Sequence, residues 1–166
     1  MGSKADCWGH LDNLLDACVL MWQAPRTAYE LADLTECQGR TIQGYIRKLS
    51  KFGLIRVTGR ARVGRCPIAR PVYSWTGDSG GGPRVCRGSM DKLLRVIKLM
   101  LQGRWTSRGL SGATGFKVPT VRGYVRRIHR GGLVYVSGWV RPAPGARRQA
   151  VYSPQGQPFH EQDVAP

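Results

Sequence analysis

"TIQGYIRKLSKFGLIRVTG", residues 41–59, returns 79 positions later as "TVRGYVRRIHRGGLVYVSG", residues 120–138, without a gap and with eight of nineteen residues identical. Most of the remaining positions exchange like for like, Ile for Val or Lys for Arg. In the first copy Ile42, Tyr45, Ile46 and Leu49 follow the three-and-four spacing of a buried helical stripe. Gly53 then supplies a left-handed stop, and "LIRVT" alternates like a half-buried strand. The stretch reads as helix, stop and strand, and the chain carries it twice.

The register extends outward in both directions. Leu11 matches Met90, Leu14 and Leu15 match Leu93 and Leu94, Met21 matches Met100, and Thr27 matches Thr106. Leu31, Thr35 and the "VYS" at 72–74 likewise match Leu110, Thr114 and the "VYS" at 151–153. What repeats is chiefly the apolar pattern, as a duplicated core requires. In the first unit, Leu11, Leu14, Leu15, Cys18, Val19 and Trp22 form one helical stripe. "TAYELADLT" is a short helix in which Thr27 and Glu30 fit a capping box. "ECQG" turns the chain into the third helix, and "PVYSW" returns beside "LIRVT" around a basic, Gly-rich loop. The same reading predicts helices at 90–102, 106–114 and 118–130 and strands at 133–137 and 150–153. "LSGATG" puts Ser111, Gly112 and Ala113 where the first unit has Ala32, Asp33 and Leu34, so a short or frayed helix is expected there.

The expected fold class is α+β, mainly α, with two units of three helices and two strands at 10–76 and 90–155. A Gly-rich linker, 77–89, leaves each unit to find its own geometry, and residues 156–166 form a flexible tail.

Twenty-six Lys and Arg against ten Asp and Glu leave a net charge of +16, and twenty of the 26 are Arg. A GC-rich genome also inflates Arg, Gly, Ala and Pro, but it does not remove acids. Here none occurs from Cys37 to Gly77 or from Lys92 to His160. Residues 10–76 carry ten basic and five acidic side chains, and 90–157 carry thirteen and one. So one-signed a field points to a polyanionic partner. No basic amphipathic helix with a broad apolar face suits a membrane surface, and no apolar run of about 18 residues crosses one. The start lacks the apolar stretch of a signal peptide. Five cysteines without a CxxC pair read as scattered thiols in a reducing compartment rather than a metal site. The expected location is cytoplasmic.

The strings "TAYELADLTECQGRTIQGYIRKLSKFGLIRV" and "TSRGLSGATGFKVPTVRGYVRRIHRGGLVYV" resemble the core of the winged helix-turn-helix family. Thr opening the second helix, a small apolar "LA" within it, Thr-apolar early in the third, and a "GL-[IV]" hinge carry the likeness. It covers nearly the whole chain apart from linker and tail. It implies that the third helices, 39–52 and 118–130, enter the major groove of double-stranded DNA. The outward positions are then Gln38, Arg40, Thr41, Gln43, Gly44, Arg47 and Lys48, and in the second unit Lys117, Thr120, Arg122, Gly123, Arg126 and Arg127. Arg suits guanine or phosphate, Gln suits adenine, and Thr suits phosphate. Pro119 fits the first helical turn, whose N–H groups are unbonded in any case. Gly44 and Gly123 admit two readings, close approach of backbone to DNA or a tight helix contact inside the unit. The hairpin tips offer Arg60, Arg62 and Arg65, and Arg141, Arg147 and Arg148, to a minor groove or to phosphates. A merely solvated loop would mix in acids.

"GDSGGGP", 77–83, resembles a serine-protease string, but it has an extra Gly, lies in the linker and has no partner base. No phosphate-binding loop, HExxH or paired-carboxylate arrangement is present, so neither enzyme activity nor a cofactor or metal is expected.

The expected function is a sequence-specific transcriptional regulator of bacterial, phage or mobile-element origin, bringing two units to adjacent half-sites. Self-association and the transcription machinery are the further candidate partners. The alternatives are a replication, partition or packaging protein using the same modules, and a winged-helix interaction subunit of a larger nucleic-acid complex. The charge split assigns nonspecific affinity to the second unit, through Arg126 and Arg127, and discrimination to the first, through Gln43 and Arg47.

Overall fold

A computed structural model of the chain describes residues 4–62, 68–76 and 88–155, with side chains from residue 9 onward. The first half runs α1 (Lys4–Gln23), β1 (Arg26–Thr27), α2 (Ala28–Leu34), α3 (Gly39–Lys51), β2 (Ile55–Ala61) and β3 (Arg70–Trp75). The second runs α4 (Ser89–Leu101), β4 (Trp105–Thr106), α5 (Ser107–Thr114), α6 (Val118–Arg130), β5 (Val134–Val140) and β6 (Gln149–Pro154). The chain is therefore α+β, and each half has one antiparallel three-stranded sheet, ordered β1-β3-β2 and β4-β6-β5. Two strands per half were expected. The third is a two-residue segment between the first and second helices, too short to show any alternation in sequence.

The repeated stretch folds alike in both copies. Ile42, Tyr45, Ile46 and Leu49 are buried, as are Val121, Tyr124, Val125 and Ile128. Gly53 (φ 70°) and Gly132 (φ 79°) take the left-handed conformation that glycine adopts without a Cβ penalty. The N–H of Leu54 then donates to the Leu49 carbonyl (3.0 Å) and that of Gly53 to the Ser50 carbonyl (2.9 Å). Leu133 to Ile128 (3.2 Å) and Gly132 to His129 (3.1 Å) repeat the pattern, which closes the helix and turns the chain into the strand. Each hairpin also carries the same irregularity, between Val57 and Gly59 and between Val136 and Gly138.

Local chemistry explains the second helices. The Thr27 N–H and hydroxyl donate to Glu30 Oε2 at 2.7 and 2.9 Å, and the Glu30 N–H donates back to Thr27 Oγ1 at 3.3 Å. Those bonds, the backbone N–H first, hold the Glu30 carboxyl below its ordinary pKa. In the second half Gly109 replaces the Glu, and only its N–H bond to Thr106 Oγ1 (3.1 Å) remains. A Cβ at 109 would lie in ordinary contact with the Trp105 ring, 3.4 Å from its Cε3. The expected shortening does not occur: α5 has eight residues against seven in α2. The Ser111 and Thr114 hydroxyls donate to the Phe116 and Leu110 carbonyls, both at 2.6 Å, and Gly115 (φ 73°) closes the end.

The first helix begins earlier than its apolar stripe, at Lys4. The buried residues of both halves form one continuous apolar cluster, from Leu11 to Val134. The units are therefore packed together rather than left to independent geometries. Among the described residues no helix is long and apolar enough to cross a membrane. Arg65, most of the linker with its "GDSGGGP" string, the tail, Cys66 and Cys86 lie outside the described residues. Cys18 is buried, which pushes its thiol pKa far up, and Cys37 is half-buried.

Candidate nucleic-acid interface

Burying Ile42, Tyr45, Ile46 and Leu49 turns the other side of α3 to solvent. Gln38, Arg40, Gln43 and Arg47 are exposed there, with Thr41 and Gly44 half-buried beside them. The same logic on α6 exposes Lys117, Thr120, Arg122, Gly123 and Arg126. Residues Gln38 and Lys117 stand at the helix starts, and no side chain caps either end. Each start therefore presents backbone N–H groups and the positive pole of its helix, which favour an anion.

In the first half α2 and α3 enclose an open cleft of about 360 Å³ lined by Ala28, Tyr29, Ala32, Gly39, Arg40 and Gln43. The Arg70 guanidinium, from β3, lies over the Tyr29 ring at 5.0 Å from its centre. The second half has a cleft of about 190 Å³ at the matching place, where Arg108, Arg122, Arg126 and Arg148 converge with Gln149 and Tyr152. Tyr29 and Arg108, and Gln43 and Arg122, stand 79 positions apart, so the clefts are counterparts with different chemistry. No carboxylate forms an ion pair with any of the four arginines among the described residues. Four guanidiniums around one cleft can hold phosphate oxygens bidentately or reach guanine edges. The first cleft, with an amide, a phenol and fewer charges, suits selective base contact.

The remaining expected residues divide. Arg60, Arg62, Arg141 and Arg147 are exposed on or beside the hairpins and do not line the clefts. Lys48 and Arg127 turn toward the seam between the halves, where Lys48 Nζ bonds Asp91 Oδ1 at 2.8 Å and Arg127 pairs with Asp12. Arg108, Tyr29 and Gln149 were not anticipated. Projecting the outward positions of the second helices as well as the third would have found the first two.

No protein-family model matches this chain, and comparison with curated proteins also gives no match.

Gly44 and Gly123 distinguish two causes. A Cβ built on either meets nothing within 4 Å, so packing inside the protein does not require glycine there. Ala at either position is expected to stabilise the fold by about 0.5–1 kcal/mol, the usual helix-interior difference. If the open face receives a DNA backbone, the same change weakens duplex binding severalfold. Urea unfolding and binding titrations on the two variants check these opposite signs.

Proposed function

We propose that the chain is a sequence-specific double-stranded-DNA-binding transcriptional regulator built from two tandem winged helix-turn-helix domains. The observation that carries this reading is the pair of matching, solvent-facing third-helix surfaces, one lined by Arg40, Gln43 and Arg47 and the other by Arg122 and Arg126. Both lie in stretches free of acids on that face, and both have uncapped helix starts. A third helix in the major groove would lay these side chains on base edges and bring Arg60 and Arg62, or Arg141 and Arg147, to the flanking backbone. Tethering two modules makes the second contact intramolecular, so two individually weak sites act as one tight site. With this role go no catalysis and a location where DNA is reachable, the cytoplasm or nucleoid of a bacterium or an infected cell.

Selection from a random duplex library, followed by footprinting, tests the proposal. An enriched motif of two adjacent half-sites is expected. Binding with the steep salt dependence of phosphate contact but without any enriched motif would overturn it. Arrays of the motif at replication origins, rather than single promoter sites, would favour a replication or partition role for the same modules.

A further inference from the structure

The seam between the halves has a symmetry that neither half shows alone. Lys48 of α3 pairs with Asp91 of α4, and Arg127 of α6 pairs with Asp12 of α1. Lys48 and Arg127 are the same position of the repeat, and so are Asp12 and Asp91, each pair separated by 79 residues. The two contacts are thus one contact made twice, with the halves exchanging roles. Phe52 and Gly131, again equivalent positions, also lie at the seam. The Phe52 carbonyl accepts from Lys98 Nζ of α4 at 3.0 Å, and the Cβ position of Gly131 is 3.9 Å from Leu15 Cβ of α1. In each case the end of a third helix meets the first helix of the other half.

Reciprocal contacts of this kind belong to a two-fold arrangement, whereas units following one another head to tail make heterologous contacts between different patches. Charge usage marks the seam as a built feature. Asp91 is the only acid between residues 90 and 157, and it sits at this contact. We infer that the two halves are related by a pseudo-two-fold axis and that the chain binds an imperfect inverted repeat of DNA, not a direct repeat. The inference rests on the DNA-binding reading above. A two-fold pair of third helices imposes its symmetry on the half-sites. The departures at Gln38/Lys117, Arg40/Pro119 and Gln43/Arg122 make the repeat imperfect. Because the dyad passes beside the third helices' last turns, it fixes their relative direction whatever the linker does.

Restoring sequence symmetry tests this. In the full chain, Lys117→Gln, Pro119→Arg and Arg122→Gln, with Arg108→Tyr in the cleft, give both halves the same residues at 38/117, 40/119, 41/120, 43/122, 44/123, 47/126 and 29/108. Selection on that variant is expected to yield two identical half-sites in opposite orientation, and to favour that duplex at least tenfold over any direct repeat. A preferred direct repeat would overturn the inference and leave the DNA-binding reading intact. Absence of any motif with the wild-type chain would overturn the parent reading instead. A second measurement covers a variant that does not fold. Inserting half a helical turn between the wild-type half-sites is expected to lower affinity at least tenfold, because the seam holds the spacing. Lys48→Asp with Arg127→Asp is expected to shrink that penalty, and adding Asp91→Lys and Asp12→Arg to restore it. Equal affinity for every spacing in the wild type would show that no fixed dyad exists.

Discussion

Alanine at both Arg122 and Arg126 is expected to weaken duplex binding about 100-fold or more at physiological salt. Both side chains are exposed on α6, and both line the cleft that Arg108 and Arg148 complete. Each contact of such an arginine with a base edge contributes about 1–3 kcal/mol, and loss of a phosphate contact lowers the salt slope by about 1. A titration series from 50 to 200 mM salt reads both quantities together. Lysine at the same two positions is expected to retain much of the salt slope but not bidentate recognition, because an ammonium is a point charge. A loss under threefold would mean that this cleft faces away from the nucleic acid. Arg127 does not belong in this pair, although its neighbour in sequence does. Its guanidinium is held by Asp12, so Arg127→Ala acts on the seam before it acts on DNA.

The second large effect is on stability. Phe52→Ala is expected to cost about 3–5 kcal/mol, the range for emptying a buried aromatic position. Phe52 is 2% exposed and among the largest fully buried side chains of the chain. Against a total of about 5–15 kcal/mol, such a loss lowers Tm by roughly 10 °C. Val57→Ala, at an exposed strand position, is the control and is expected to change little. Denaturant unfolding of the two variants makes the comparison, and a cost below about 1 kcal/mol for Phe52→Ala would contradict its place in the core. The equivalent position is Gly131, so the seam is symmetric in its ion pairs but not in its filling.

The element order was legible because apolar spacing and stop signals are local. Leu49, Gly53 and Leu54 specify a helix end by their own backbone and packing needs, and their counterparts repeat the specification. The boundaries of α3 and α6 follow directly from that stripe. β1 and β4 were not legible, since a two-residue strand exists only by virtue of the partner it meets. The persistence of α5 was misjudged for a related reason: propensity counted Ser111 and Gly112 against the helix, while the Ser111 and Thr114 hydroxyls and Gly115 support its end. The outward faces of the third helices were readable as the complement of the buried stripe. The seam was not. Lys48 and Arg127 look like further groove-facing cations until the position of Asp12 and Asp91 in space is known. Arg108 escaped because only the third helices, and not the second, were projected for their outward positions.

The reciprocal ion pairs also bear on how occupancy responds to dose. Two separate chains that must first associate fill a site in proportion to the square of their concentration when dilute. On the DNA-binding role proposed above, both partners of that association are one polypeptide, so occupancy by the single chain would rise with the first power of its concentration, without a threshold for assembly. The same covalent link frees each half from sameness: a change at Tyr29 need not be matched at Arg108, and the two clefts can drift toward different chemistry while the contact that orients them stays common.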